Sequence, residues 1–265
     1  MNLTRRQFLG MAGALSLSAW ASTGGLFGGK KGPFTVAAIN DLHVLDTRST
    51  AIVTKAVGQI NQTPDIAFTV VLGDLSTNGK LTQFRLCKQS LDRLERPYLV
   101  VPGNHDVEPG VKDIYANYRK NFTLGNWVHE EEQWTFIGLD SCEGNASDVS
   151  IRPDRVEWLE KRLKKINRDR PLALCCHHPF NPNSKQYRVK NADEILAMFA
   201  EHKLKLVAAG HYHGNQVEEA NGILFTTTAC CSSTRPNFDD TPAKGYRLFH
   251  LDEDRVETEF VEVKI

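Results

Sequence analysis

Short apolar runs rich in β-branched residues alternate with longer segments in which apolar side chains recur every three or four positions. The runs predict strands over Phe34–Ile39, Ala67–Leu72, Tyr98–Val101, Trp134–Leu139, Leu172–Cys176, Leu204–Ala208, Ile223–Thr228, Tyr246–Leu251 and Arg255–Val263, most of them bounded by Gly, Pro, Asn or Asp. The periodic segments predict helices over Thr50–Asn61, Leu81–Glu95, Val111–Asn121, Pro153–Asn167 and Ala192–His202. Phe84, Leu91 and Leu94 fall on one face of the second helix, and Pro153 suits a helix start. The early alternation of strand and helix implies parallel pairing through crossover helices. The last three strands have no helix between them and predict an antiparallel meander. In the final one, charged and apolar residues alternate, so one of its faces is wet. No internal repeat or second linker interrupts the pattern, so residues 33–265 read as one domain.

Composition adds limits. With 41% hydrophobic and 24% charged residues in 265, the chain is neither disordered nor collagen-like nor a coiled coil. Lys+Arg and Asp+Glu each total 32, so bulk attraction for a nucleic-acid polymer or an anionic membrane is not expected. The charge is nonetheless uneven, because the first forty residues carry Arg5, Arg6, Lys30 and Lys31 and no acid. Arg5-Arg6 precede an apolar run from Gly10 to Trp20 and small residues around Ala19-Trp20-Ala21. That order fits a twin-arginine (Tat) export signal. The run is too short for a stable membrane span, and residues 22–32 read as a flexible spacer. The expectation is export to the periplasm or the medium, with the Tat translocase as a transient partner. The alternatives are an ordinary N-terminal helix and an uncleaved anchor. Of the six cysteines, Cys175-Cys176 and Cys230-Cys231 are adjacent pairs, and no C-x-x-C spacing occurs. Cys175 and Cys176 lie in an apolar run and read as small core residues. Pairing of Cys142 with Cys230 or Cys231 is left open.

The residues able to hold a metal fall at strand ends. Asn40-Asp41-Leu42-His43 follows the first predicted strand, Gly73-Asp74 the second and Gly103-Asn104-His105-Asp106 the third. His177-His178-Pro179 follows Leu172–Cys176, and Gly210-His211-Tyr212-His213 follows Leu204–Ala208. Each alone is a common turn or cap. Together they converge, because ligand sites in α/β sheets form beyond the C-terminal strand ends.

Asp41-x-His43, Gly73-Asp74, Gly103-Asn104-His105-Asp106, His177 and Gly210-His211-x-His213 resemble the motifs of the calcineurin-like metallophosphoesterases over residues 34 to about 263. Gly73–Gly79 and the Gly245-Tyr246-Arg247-Leu248 run are most similar to the class III cyclic-nucleotide phosphodiesterase branch. The resemblance implies an α/β fold, a four-layer α-β-β-α sandwich of two mixed sheets flanked by helices. It also implies a binuclear centre. Asp41, His43 and His213 would hold one ion, Asn104, His177 and His211 the other, and Asp74 would bridge them. The mixed N and O donors suit two divalent or mixed-valence transition-metal ions, among Mn, Fe, Zn, Co and Ni. A hydroxide held by the ions would attack phosphorus in line, and His105 would stabilise or protonate the leaving oxygen. The bland alternative for His105 is a histidine that only braces its loop.

Two departures narrow the expectation. Thr77 and Asn78 stand where many phosphoprotein phosphatases of this superfamily carry Asp and Arg, so His105 needs another orienting partner. Thr77 also stands in for the metal-binding Tyr of purple acid phosphatases, so no charge-transfer colour is expected. His178 should face away from His177, which leaves it behind the ligands or at the surface. Arg48 and Arg235 are candidate phosphate clamps, with exposed loop arginines as the alternative. Glu143–Ser150 is a candidate lid. The expected function is an exported hydrolase of small phosphodiesters, with cyclic nucleotides and glycerophosphodiesters as candidates. The alternatives are a phosphomonoesterase on the same site and a non-catalytic metal-binding scaffold.

Overall fold

The computed structural model describes residues 32–184 and 186–264. The export signal and spacer expected over residues 1–32 fall, except for Gly32, outside the described residues. In chain order the elements are β1 (Phe34–Ile39), α1 (Thr50–Gln62), β2 (Ile66–Leu72), α2 (Leu81–Leu91), β3 (Tyr98–Val101), α3 (Ala116–Arg119), β4 (Trp127–Glu131), β5 (Trp134–Leu139), α4 (Pro153–Leu163), β6 (Pro171–Cys176), α5 (Ala192–Ala197), β7 (Lys203–Ala209), β8 (Gln216–Ala220), β9 (Ile223–Thr227), β10 (Gly245–Asp252) and β11 (Arg255–Glu262).

These strands form two mixed sheets, ordered β11-β10-β1-β2-β3 and β4-β5-β6-β7-β9-β8. Both faces of each sheet are covered, and alternation along the strands divides the core accordingly. Phe34, Val36 and Ala38 of β1 join Phe68 and Val70 of β2 between the sheets, against Phe136, Ala173, Cys175 and Leu206 of the second sheet. The intervening Ala37 and Ile39 pack outward on Ile52, Val53 and Ala56 of α1 and Phe84 of α2. On the far side, Leu172, Leu174 and Cys176 pack with Leu159 and Leu163 of α4 and Ile195 of α5. The result is the expected four-layer α-β-β-α sandwich. Cys175 and Cys176 lie on opposite faces of β6, and all six cysteines are buried and free. No Cys142 disulfide therefore forms.

The structure corrects several expected elements. The last three predicted strands are not one meander. β10 pairs with β1 and β11, whereas β9 lies in the other sheet, parallel to β7 and antiparallel to β8. Two strands escape the hydrophobic pattern, β4 and β8. Both are edge strands that alternate half-buried with exposed residues, so their apolar content is low. The Asn221-Gly222 turn between β8 and β9, both residues at positive φ, was the available hairpin signal. The helix expected over Val111–Asn121 is only the single turn α3. Glu108 N–H donates to Ile114 O at 2.9 Å, which closes residues 108–114 into a loop, and Gly110 turns the chain at a φ of 80°. α2 stops at Leu91, ahead of the Arg96-Pro97 pair that disfavours helix. After Ala197, α5 tightens into i→i−3 turns, as in Met198 N–H to Ile195 O and Phe199 N–H to Leu196 O. Among the described residues, no helix is long and apolar enough to cross a membrane.

Candidate metal centre

Parallel pairing of β1 with β2 and β3, and of β5 with β6, β7 and β9, places the C-terminal ends of β1, β2, β3, β6 and β7 at one edge of the sandwich. Their loops pack closely enough to demand glycine. A Cβ on Gly103 would lie 2.1 Å from the Asp74 carboxylate, and one on Gly210 would lie 2.7 Å from Asp41 Oδ2. Asp41, His43, Asp74, His211 and His213 all adopt positive φ, between 42° and 64°. Such backbone costs of order 1–3 kcal/mol per residue and persists where its surroundings over-determine it. Here cross-loop hydrogen bonds do so, including Asp41 N–H to Gly73 O at 3.1 Å and His43 N–H to Asp74 O at 2.9 Å.

The side chains converge as two donor sets around Asp74. In the first, Asp74 Oδ2 lies 3.5 Å from His43 Nε2, His43 Nε2 lies 3.2 Å from His213 Nε2, and Asp41 Oδ1 lies 3.3 Å from His213 Nε2. In the second, Asp74 Oδ1 lies 3.5 Å from His177 Nε2, which is 3.1 Å from Asn104 Oδ1 and 3.2 Å from His211 Nδ1. One oxygen of Asp74 thus faces each set. The sites expected at Asp41, His43, Asp74, Asn104, His177, His211 and His213 are brought together. His105 stands beside them, its ring 4.9 Å from that of His43.

Three of the four outer nitrogens are already committed, and that of His43 is buried without a hydrogen-bond partner. His177 Nδ1 donates to Leu72 O at 2.8 Å, His211 Nε2 to Ser147 O at 3.1 Å and His213 Nδ1 to Pro236 O at 3.0 Å. Each bond fixes the tautomer in which the opposite nitrogen turns a lone pair toward the centre. Asp41 Oδ2 accepts from Asn40 Nδ2 at 2.6 Å and from His211 N–H at 2.9 Å. Its buried Oδ1 is left facing the His213 ring nitrogen, 3.3 Å away. Carboxylate oxygens and ring nitrogens crowded together in a buried pocket are the donor chemistry of a cation site. The residues fit two cations.

Without a cation, protons do part of that work. Burial works against the charge on Asp41 and Asp74, but His213 beside the one and His177 beside the other hold both carboxyls below the usual range. Burial pulls His177 and His213 down too, yet Asp74 and Asp41 outweigh it and raise them to about 9 and about 11. Burial prevails for His43 and His211, which fall to about 3 and about 4. The sign for cation uptake follows. At pH 7 His177 and His213 hold protons that a cation must displace, so affinity rises with pH until those groups are neutral. Titrating the metal-free protein with Zn²⁺ at pH 7, in two buffers of different ionisation enthalpy, should report release of about two protons. Uptake without proton release contradicts this picture.

Asp106, buried beneath the centre, accepts from Gly103 N–H at 2.9 Å and Ser76 N–H at 3.0 Å and so ties the Asp74 loop to the Asn104 loop. The partner missing for His105 is also found. Its Nδ1 donates to the backbone carbonyl of Thr77 at 3.0 Å, a position whose side chain gave no hint of it. A neutral carbonyl thus orients the ring in place of a carboxylate.

His178 departs from strand alternation. β6 ends at Cys176, and the chain turns, so His178 packs 4.9 Å from the ring of His177 and 4.4 Å from that of His211, with Nδ1 bonded to Ser141 Oγ at 2.9 Å. Strand geometry does not extend past the strand's last residue. Arg48 is outside the convergence: its side chain is 95% exposed and lies 3.6 Å from Asp46. Arg235 is half-buried on the loop that carries Pro236, and its side chain has no hydrogen bond or ion pair among the described residues.

A cleft of ≈ 290 Å³ opens beside His105, lined by Thr77, Asn78, Asn104, Val107, Pro109, Asn145 and Ser147. No lysine, arginine or carboxylate is among its lining residues. Asn145 and Ser147 belong to the segment named above as a candidate lid, and that segment is joined to the centre through Ser147 O and His211. Asn78 and Asn145 carried no signal in the sequence beyond their place in polar loops.

The family profile for calcineurin-like phosphoesterases matches residues 34–215. The chain is 28% identical over 244 residues to a probable cyclic nucleotide phosphodiesterase of Synechococcus sp., covering 86% of this chain and 91% of the relative. It is 27% identical over 184 residues to a probable glycerophosphodiester phosphodiesterase, GpdQ, of Arcobacter nitrofigilis, covering 65% of each chain. In fold it is similar to a purple acid phosphatase from yellow lupin seeds, with a TM-score of 0.68 at 15% identity over 87% of this chain and 52% of that one.

Proposed function

The chain belongs to the calcineurin-like phosphoesterase family and is a metal-dependent phosphoester hydrolase; from that premise we propose that it holds two cations and cleaves small phosphodiesters, with cyclic nucleotides and glycerophosphodiesters as the candidate classes. The likeness to relatives named as phosphodiesterases supports the diester reading, and the cleft beside His105 adds no arginine or lysine of the kind a terminal phosphoryl group calls for. A terminal phosphoryl group presents three charged oxygens, and proteins recognise such groups with arginine forks or ammonium groups. Thr77, Asn78, Asn145 and Ser147 offer only neutral donors and acceptors, which suit the hydroxyls of an alcohol leaving group.

Bound cations would supply Lewis acidity toward the phosphoryl oxygens and make water a stronger nucleophile by lowering its pKa. The chain does the rest. Asp74 offers one oxygen to each donor set, and Asn40 and the His211 N–H occupy one oxygen of Asp41 so that the other turns inward. Leu72, Ser147 and Pro236 lock three imidazoles in the ligating tautomer. Thr77 O holds Nδ1 of His105, leaving Nε2 to give a proton to the departing oxygen in the cleft it lines.

The test compares bis-p-nitrophenyl phosphate with p-nitrophenyl phosphate on protein loaded with Mn²⁺, Zn²⁺ or Co²⁺. The diester should be preferred in kcat/KM by about tenfold or more, since each missing charge-assisted contact to a terminal phosphate is worth about that factor. The reverse preference would assign a monoesterase. No turnover of either ester with any of these metals would instead favour a non-catalytic metal-binding protein. Export is part of the same proposal and rests on the Arg5-Arg6 pattern and the apolar run behind it. Recovery of the full-length protein from the cytoplasm alone would remove that part.

A further inference from the structure

Phe238 stacks on the ligand His213, with ring centroids 4.9 Å apart and planes 2° from parallel. Its backbone N–H also donates to His213 O at 3.3 Å, so the ring is anchored to that loop twice. One ring face is therefore covered, yet Phe238 remains 45% exposed. Tyr187 sets its ring at 79° to the ligand His211, 4.7 Å away, and stands 6.2 Å from Phe238. Tyr187 holds this place at a φ of 60°, a conformation that bulky residues rarely adopt. Two aromatic rings, each in contact with a ligand imidazole, thus flank the centre, and neither lines the His105 cleft. A ring serving only to shield His213 from water would be expected to sink into the surface, since exposed apolar area is unfavourable.

We propose that Tyr187 and Phe238 form a stacking wall for a planar aromatic substituent, an aryl ring or a nucleobase, carried by the phosphodiester on its retained oxygen. The inference rests on the diesterase reading and adds to it which ester substituent is favoured. A diester bound at the centre carries two groups. The leaving alcohol lies toward His105 and the neutral cleft. The retained group projects elsewhere, and Phe238, 45% exposed, is separated from the first donor set by the imidazole of His213. Stacking on such a face is tolerant of the ring's identity, because every aromatic ring has a π face.

The experiment holds the leaving group constant. Phenyl p-nitrophenyl phosphate and methyl p-nitrophenyl phosphate are compared on metal-loaded wild type, Phe238→Leu, Tyr187→Leu and Phe238→Trp, with bound metal measured in each. The readout is the phenyl-to-methyl ratio of kcat/KM, because a fall in metal occupancy scales both substrates alike. The ratio should fall by about tenfold in Phe238→Leu, fall in Tyr187→Leu and be restored in Phe238→Trp. A ratio that is the same in wild type and both leucine variants overturns the wall while leaving the diesterase reading intact. Failure of wild type to hydrolyse either ester overturns the diesterase reading and this inference with it.

Discussion

Asp74→Ala loses both cations from the centre at micromolar metal, and diester hydrolysis falls by a factor on the order of 10³ or more. The size follows from position. Asp74 is the one side chain that faces both donor sets, with Oδ2 toward His43 and Oδ1 toward His177, each at 3.5 Å. Its loss also removes the charge that keeps the proton on His177, and it frees the His105 N–H, which donates to Oδ1 at 2.8 Å. A variant at one end of the centre, such as Asn104→Ala, removes a donor from one set only. Elemental analysis after gel filtration, together with single-turnover rates, distinguishes the two. An Asp74→Ala protein that keeps two equivalents of metal and wild-type turnover would exclude the bridging role.

The effect of His105→Ala depends on what leaves. For an alkyl alcohol, whose alkoxide is a strong base, the departing oxygen needs a proton, and loss of a positioned general acid costs about 10²–10⁴-fold in kcat. For p-nitrophenolate, which departs without one, the loss should be about tenfold or less. The Nδ1 bond to Thr77 O and the T-shaped contact with His43 hold the ring between the centre and the cleft. Parallel kcat measurements on methyl p-nitrophenyl phosphate and on a dialkyl diester, with metal content matched, check this. Equal losses on the two substrates would reduce His105 to a brace for its loop.

The sequence carried the centre well for a physical reason. Ligands at C-terminal strand ends follow short apolar strands, and Phe34–Ile39 and Ile66–Leu72 are each short, almost wholly buried and bounded by turn residues. Asp41, Asp74, Asn104, His177 and His211 could be located because each stands just past such a run. Contacts made by backbone carbonyls were beyond reach. Leu72 O, Ser147 O, Pro236 O and Thr77 O orient the imidazoles, and the residue type at a carbonyl leaves no mark on its acceptor. Loops and edges were hidden for related reasons. β4 and β8 alternate half-buried with exposed side chains, and β9 and β10, adjacent in the chain, belong to different sheets because residues 228–244 cross between them. Tyr187 and Phe238 are single aromatic residues in irregular loops, where no periodicity exists to read.

The central claim is that seven side chains from five strand ends hold two cations with Asp74 between them. Anomalous diffraction from crystals of the protein loaded with Zn²⁺ or Mn²⁺ tests it most directly. Two peaks are expected about 3.5–4 Å apart, one against Asp41, His43 and His213, the other against Asn104, His177 and His211, each in contact with one oxygen of Asp74. A single peak, or a pair that leaves Asp74 uncoordinated, would contradict it.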